Sequence, residues 1–165
     1  MKRAIMITCL FFLFACGQGE GKDATTVDNN SGQAETEAVL YEDDVFKIAE
    51  IDGWSVDEGA TAEQEQNVIF SNGTTRLIVS MVSDKQTVDT LKKDVLSSFS
   101  KKVELIEDDE NYIALLTNRK ENIRGEVYFL QGSEHQLIFT YMTPEQHYQE
   151  NKDQIKAFNE SIKIF

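Results

Sequence analysis

From Tyr41 to the last residue, apolar positions recur in short runs whose period names each element. Val45 to Ile51 and Trp54 to Val56 predict strands on either side of a break at Asp52-Gly53. Asn67 to Ser71 and Thr75 to Ser83 predict a hairpin around Asn72-Gly73, a pair suited to a type I′ turn because both central residues there need positive φ. In the second arm Leu77, Val79 and Met81 share one face and Ile78 and Val82 the other. A strand that is apolar on both faces is expected to lie inside the sheet. Val103 to Ile106 predicts a further strand. Tyr112 to Arg119, Ile123 to Gln131 and Gln136 to Thr143, joined by short polar turns, predict a meander.

Two segments carry a helical period. Val88, Leu91, Val95 and Phe99 step by three, four and four residues behind Thr87, a suitable N-cap. Near the end, Thr143 as N-cap, Pro144 at the first helical position and Gln146 at the third predict a capping box. Tyr148, Ile155, Phe158 and Ile162 form the apolar stripe of that helix, which is expected to dock on the sheet. Layer rules then favour an α+β domain over residues 41–165: a mostly antiparallel sheet of about six to seven strands flanked by two or three helices.

The first forty residues read differently. Lys2 and Arg3 precede twelve residues, Ala4 to Ala15, with Thr8 the clearly polar member. As a helix this run is about 18 Å long, short of a hydrocarbon core of about 30 Å. A basic start, a short apolar centre and Ala15 before a break are the marks of a secretory signal peptide. The break is "LFAC", Leu13 to Cys16, which resembles a bacterial lipobox. That resemblance implies cleavage before Cys16, fatty acyl chains such as palmitate on it, and a domain held by lipid to the outer face of the cell membrane. Cys9 would leave with residues 1–15, so no disulfide is expected in the folded domain.

Residues 17–40 contain no aromatic residue, four of the nine glycines, and five acids against Lys22 alone. With Cys16 they are expected to form an acidic, flexible linker, because too little apolar surface is available to offset the entropy of ordering; the alternative is that part of the stretch folds onto the domain, residues 37–40 foremost. Net charge is −13 for the chain, and −15 once Lys2 and Arg3 are gone. Phosphate backbones are bound by lysine and arginine, so nucleic acid is not an expected partner.

"DGWSV" at 52–56, "VIFSNGTTRLIVSMV" at 68–82 and "FNESIKIF" at 158–165 give the domain its resemblance to the PsbP-like group, which includes DcrB-like bacterial lipoproteins. The resemblance implies a PsbP-like sandwich, a sheet with flanking helices, and an accessory or binding role instead of one shared activity.

Candidate chemistry is sparse. His135 precedes the last strand of the meander and His147 follows it, so a strand of about eight residues separates them by roughly 25 Å, too far for a shared metal. "EDDEN", Glu107 to Asn111, offers oxygen ligands for calcium but lacks EF-hand spacing, and a solvated turn is the favoured reading. Arg119, Lys120 and Arg124 surround one turn and are candidate docking positions in an acidic protein. Trp54 and Tyr41 are candidate interface anchors, with core packing the commoner role for a lone tryptophan. Lys92, Lys93, Lys101 and Lys102 are spread around their helix and mark no site.

The expectation is a non-catalytic accessory lipoprotein, without cofactor or metal, whose partners are the membrane and an envelope protein or small ligand. A carboxylate hydrolase of the cell envelope and a small-ligand or cation sensor are the alternatives.

Overall fold

The computed structural model describes residues 38–59, 67–82, 86–99, 102–118 and 120–165. The lipobox, Cys16, most of the linker and Arg119 lie outside them.

The described chain begins with β1 (Val39–Glu42), β2 (Phe46–Ala49) and β3 (Ser55–Val56), then the hairpin β4 (Asn67–Asn72) and β5 (Thr75–Val82). Helix α1 (Val88–Ser98) follows, then β6 (Val103–Asp109), β7 (Tyr112–Thr117), β8 (Ile123–Gln131) and β9 (Gln136–Pro144), helix α2 (Glu145–Glu160) and β10 (Ile162–Ile164). β1 takes in Val39 and Leu40, at the end of the linker span where folding onto the domain is the alternative reading.

The α+β class and its antiparallel sheet are as expected, but the strands divide between two sheets. Seven run in the order β3-β4-β5-β9-β8-β7-β6, and three in the order β1-β2-β10. Ile162, expected in the stripe of α2, instead pairs with Ile48, and Ile164 pairs with Phe46. Three residues at the end of a helix carry no period of their own, so only the presence of β2 turns them into a strand.

Two local expectations need correction. The hairpin turn sits one residue later than read: Asn72 pairs with Thr75, leaving Gly73-Thr74 as the loop. Gly73 alone has positive φ, at 52°. Glycine in the first central position is the type II′ pattern, not the type I′ one. At α2, the N-cap is Pro144 and no side chain caps the helix. Thr143 belongs to β9, where its hydroxyl is buried 2.9 Å from that of Thr75. The Glu145 N–H donates instead to the Asn122 carbonyl at 2.9 Å, a tertiary partner that a capping rule does not see.

The seven-stranded sheet is buried on both faces. On one, Phe46 and Ile48 of the small sheet and Ile155 and Phe158 of α2 pack over Phe70, Leu77, Val79, Phe139 and Tyr141. On the other, Leu91 of α1 packs on Ile113, Val127, Phe129 and Ile138. Thr87 caps α1 as expected, accepting from the Thr90 N–H. Lys92, one of the lysines read as unassigned, is only 9% exposed. Its ammonium donates to Asp108 Oδ1 at 2.6 Å and to the Asp109 carbonyl, pinning α1 to β6.

Candidate functional site

Three chain reversals meet at one end of the large sheet. The β4–β5 loop contributes Thr74, the β7–β8 turn contributes Lys120, Glu121 and Asn122, and the start of α2 contributes Pro144 to His147. Between them lies a cleft of about 520 Å3. It is held by the Glu145 to Asn122 backbone bond and by Asn151 Nδ2, which donates to Thr74 Oγ1 at 3.2 Å. Asn72 Nδ2 donates to Gln154 Oε1, so a second bond ties the hairpin to α2. The cleft presents Lys120 and His147 beside Glu121 and Glu145, a mixed-charge lining at the positive end of the α2 dipole.

Next to it, one step along β8 from Ile123, Arg124 turns inward. Its guanidinium carbon sits 4.0 Å from the Tyr148 ring centroid, and its Nε is 3.6 Å from Glu126 Oε1. Glu126 is 4% exposed. Its Oε1 accepts from the hydroxyls of Tyr148 at 2.7 Å and Tyr112 at 2.8 Å. Strand alternation explains the grouping: register places Glu126 opposite Ala114 and Tyr141, with Arg124 and Tyr128 on the same face of β8. A buried carboxylate is tolerable because cation and donors surround it.

The predicted positions therefore separate. Lys120 faces the cleft. Arg124 is mostly buried against Tyr148 and Glu126, so it is no docking charge. Trp54 is 6% exposed and packs at 4.5 Å on Phe158 and 6.2 Å on Tyr141, which makes it core and not an interface anchor. Tyr41 is half-buried, stacked on Phe46 at 5.1 Å with its hydroxyl donating to Asp43 at 3.1 Å. "EDDEN" is mostly strand: Glu107 to Asp109 belong to β6, and only Glu110-Asn111 form the turn. Alternation sends Asp108 to the face of its cross-strand partner Ile113, away from Glu107 and Asp109, so these carboxylates do not converge. Among the described residues no group of three or more His, Cys, Asp or Glu is placed to hold a metal ion. Nor is any described helix long and apolar enough to cross a membrane. The Glu126 cluster was missed by sequence reasoning, although a glutamate in the middle of the Ile123 to Gln131 strand was its visible signal.

All five tyrosines of the chain resist ionisation. Burial and the hydrogen bond to Glu126 push Tyr148 up to about 12. Burial and the bond to Asp43 push Tyr41 up to about 12. Tyr112, Tyr128 and Tyr141 are raised further, each chiefly by burial. A tyrosine raised above its ordinary 10 stabilises the fold fully below pH 10, and that contribution is lost as pH climbs through the folded value. Tyrosinate absorbance should therefore stay low at pH 10 to 11 and then rise together with loss of the fold toward pH 12. Five independent titrations centred near pH 10 would show that the hydroxyls are solvated.

No family model matches the chain, and no curated protein matches it. Solved structures do resemble it. A variant of the protein Mog1 superposes with a TM-score of 0.50 at 8% identity, over 72% of this chain and 90% of that one. The cyanobacterial PsbP (CyanoP) of Synechocystis gives 0.49 at 15% identity, over 81% and 96%. A protein from Bacteroides thetaiotaomicron gives 0.43 at 8% identity, over 73% and 45%. At 8% identity the likeness to the Mog1 variant is one of fold. The chain is an α+β domain of mostly antiparallel sheet with two described helices.

Proposed function

We propose that this is a non-catalytic accessory or binding protein, tethered by acyl chains on Cys16 to the extracytoplasmic face of the cell membrane, which takes a polar group of a partner into the cleft at the start of α2. The tether rests on "LFAC" and the acidic linker. The binding role rests on one observation above all: the cleft gathers Lys120, Glu121 and a helix start that no side chain caps in an accessible place, while the buried carboxylate Glu126 is occupied by two tyrosine hydroxyls. Groups that are available are suited to recognition, and the group with an unusual environment is committed to the fold.

Cys16→Ala should move the protein out of the membrane fraction, since it removes the residue that would carry the acyl chains, more than one of which stable anchoring takes. Crosslinked, detergent-solubilised membranes should then yield one envelope protein with the anchored form, and lose it with Lys120→Glu. Unchanged fractionation of Cys16→Ala ends the anchor claim, and capture indifferent to Lys120→Glu ends the role of the cleft. A carboxylate hydrolase is the second reading, favoured by Glu121 and Glu145 lining the same cleft. Hydrolysis of envelope material by the pure protein, abolished by Glu121→Gln or Glu145→Gln, would decide for it.

A further inference from the structure

Among the described residues the long free edge of the large sheet is β6, at the far end of the strand order from β3, and six of its seven residues pair with β7 and with no other described strand. Its sequence is VELIEDD, exposed at every residue after Val103. Apart from the Asp109 carbonyl, which accepts from Lys92, an edge of this kind presents unpaired N–H and C=O groups along its outer side, a template for another strand.

Two features decide what that strand can be. A register shift between Leu105 and Glu107 leaves Ile106 without a partner on β7. The shift resets the alternation. Glu104, Glu107 and Asp109 consequently lie opposite Leu116, Ala114 and Tyr112, all on one face, while Val103, Leu105 and Asp108 take the other. Asp108 is neutralised by Lys92, whereas no ion pair joins Glu104, Glu107 or Asp109 to a cation of the described residues. Beside this acidic row, Leu105 and Ile106 are 43% and 45% exposed, two of the few large apolar side chains left in water.

We propose that β6 is a docking edge for an extended peptide segment in which basic and apolar residues alternate. Backbone bonds along the edge would extend the sheet by one strand. Lysines or arginines of the incoming segment would face Glu104, Glu107 and Asp109, and apolar residues on its other face would cover Leu105. A second copy of β6 is a poor occupant, because its carboxylates would meet this row of carboxylates across the new strand pair. None of these residues lines the cleft, so the inference stands whether or not the cleft binds anything.

The test uses the full-length protein and a short peptide in which lysine and valine alternate, with the same residues arranged in two blocks as a control. The alternating peptide should bind and slow hydrogen exchange at the amides of residues 103–109, and the blocked peptide should bind weakly. Glu104→Lys/Glu107→Lys changes two exposed side chains, so the fold should be retained. It should weaken binding by about tenfold, the effect of turning two opposite-charge cross-strand pairs into like-charge ones. Equal binding of both peptides would mean diffuse attraction to an acidic protein and overturn the proposal. Protection located elsewhere, indifference to the double variant, or no binding would overturn it as well.

Discussion

Phe158→Ala should lower the stability of the domain by about 3–5 kcal/mol, the range for truncating a fully buried phenylalanine. Phe158 has no exposed surface and lies in the core on the face of the large sheet that α2 covers. Its ring lies 4.5 Å from Trp54, 5.4 Å from Phe70 and 6.1 Å from Tyr141. Removing it takes away one of the two fully buried apolar side chains of α2, with Ile155 the other, and leaves a void that three rigid aromatic neighbours are poorly able to close. For a domain of this size the melting temperature should fall on the order of 10–20 °C. Trp54 fluorescence in the folded state should change in the same variant, since the nearest ring is gone. A loss below about 1 kcal/mol would mean that α2 is not held on the sheet in this way.

Glu126→Ala should cost roughly 3 kcal/mol, near the lower end for breaking a buried ion pair, because Arg124 keeps some access to water. The substitution orphans the hydroxyls of Tyr112 and Tyr148 and leaves the guanidinium of Arg124 without its carboxylate. Glu126→Gln keeps an oxygen to accept the hydroxyl bonds and should recover part of the loss. Equilibrium denaturation of the two variants separates the contributions. If both variants lose the same amount, the negative charge is what matters. If neither loses stability, the cluster does not hold α2 against β8. Because Tyr148 follows His147 directly, the Glu126→Ala variant is also expected to loosen the helix start that lines the cleft.

The same cluster separates structural charge from available charge. Arg124 and Lys120 sit four residues apart around one turn, and composition treats them alike. Period two along β8 turns Arg124 onto the face covered by α2, while Lys120 stays in the turn. Trp54 divides from the docking set for a similar reason. Gly53, with φ at 83°, provides the break that delivers the indole onto Phe158 and Tyr141.

Local rules acting on the sequence alone determined much of the domain. Alternation placed the strands of the meander, with Ile123 to Gln131 matching β8 from end to end. Helical spacing behind Thr87 placed α1 and its cap. These features depend on neighbours within a few residues, so the sequence carries their cause. The α+β class followed from element order, since amphipathic faces must be buried against one another.

Only the tertiary structure decided the rest. Ile162 to Ile164 became a strand because β2, more than a hundred residues earlier, offered its edge. Thr143 lost its capping role to β9, and Asn122 supplied the bond instead. The cleft exists because three turns distant in sequence meet there, and Glu126 is tolerated inside because Tyr112, Tyr148 and Arg124 arrive from three different elements. The β10 pairing with β2, the Glu145 to Asn122 bond and the bonds from Tyr112 and Tyr148 to Glu126 are pairings of polar groups distant in sequence that must be satisfied once water is excluded, and no window of local sequence contains both partners.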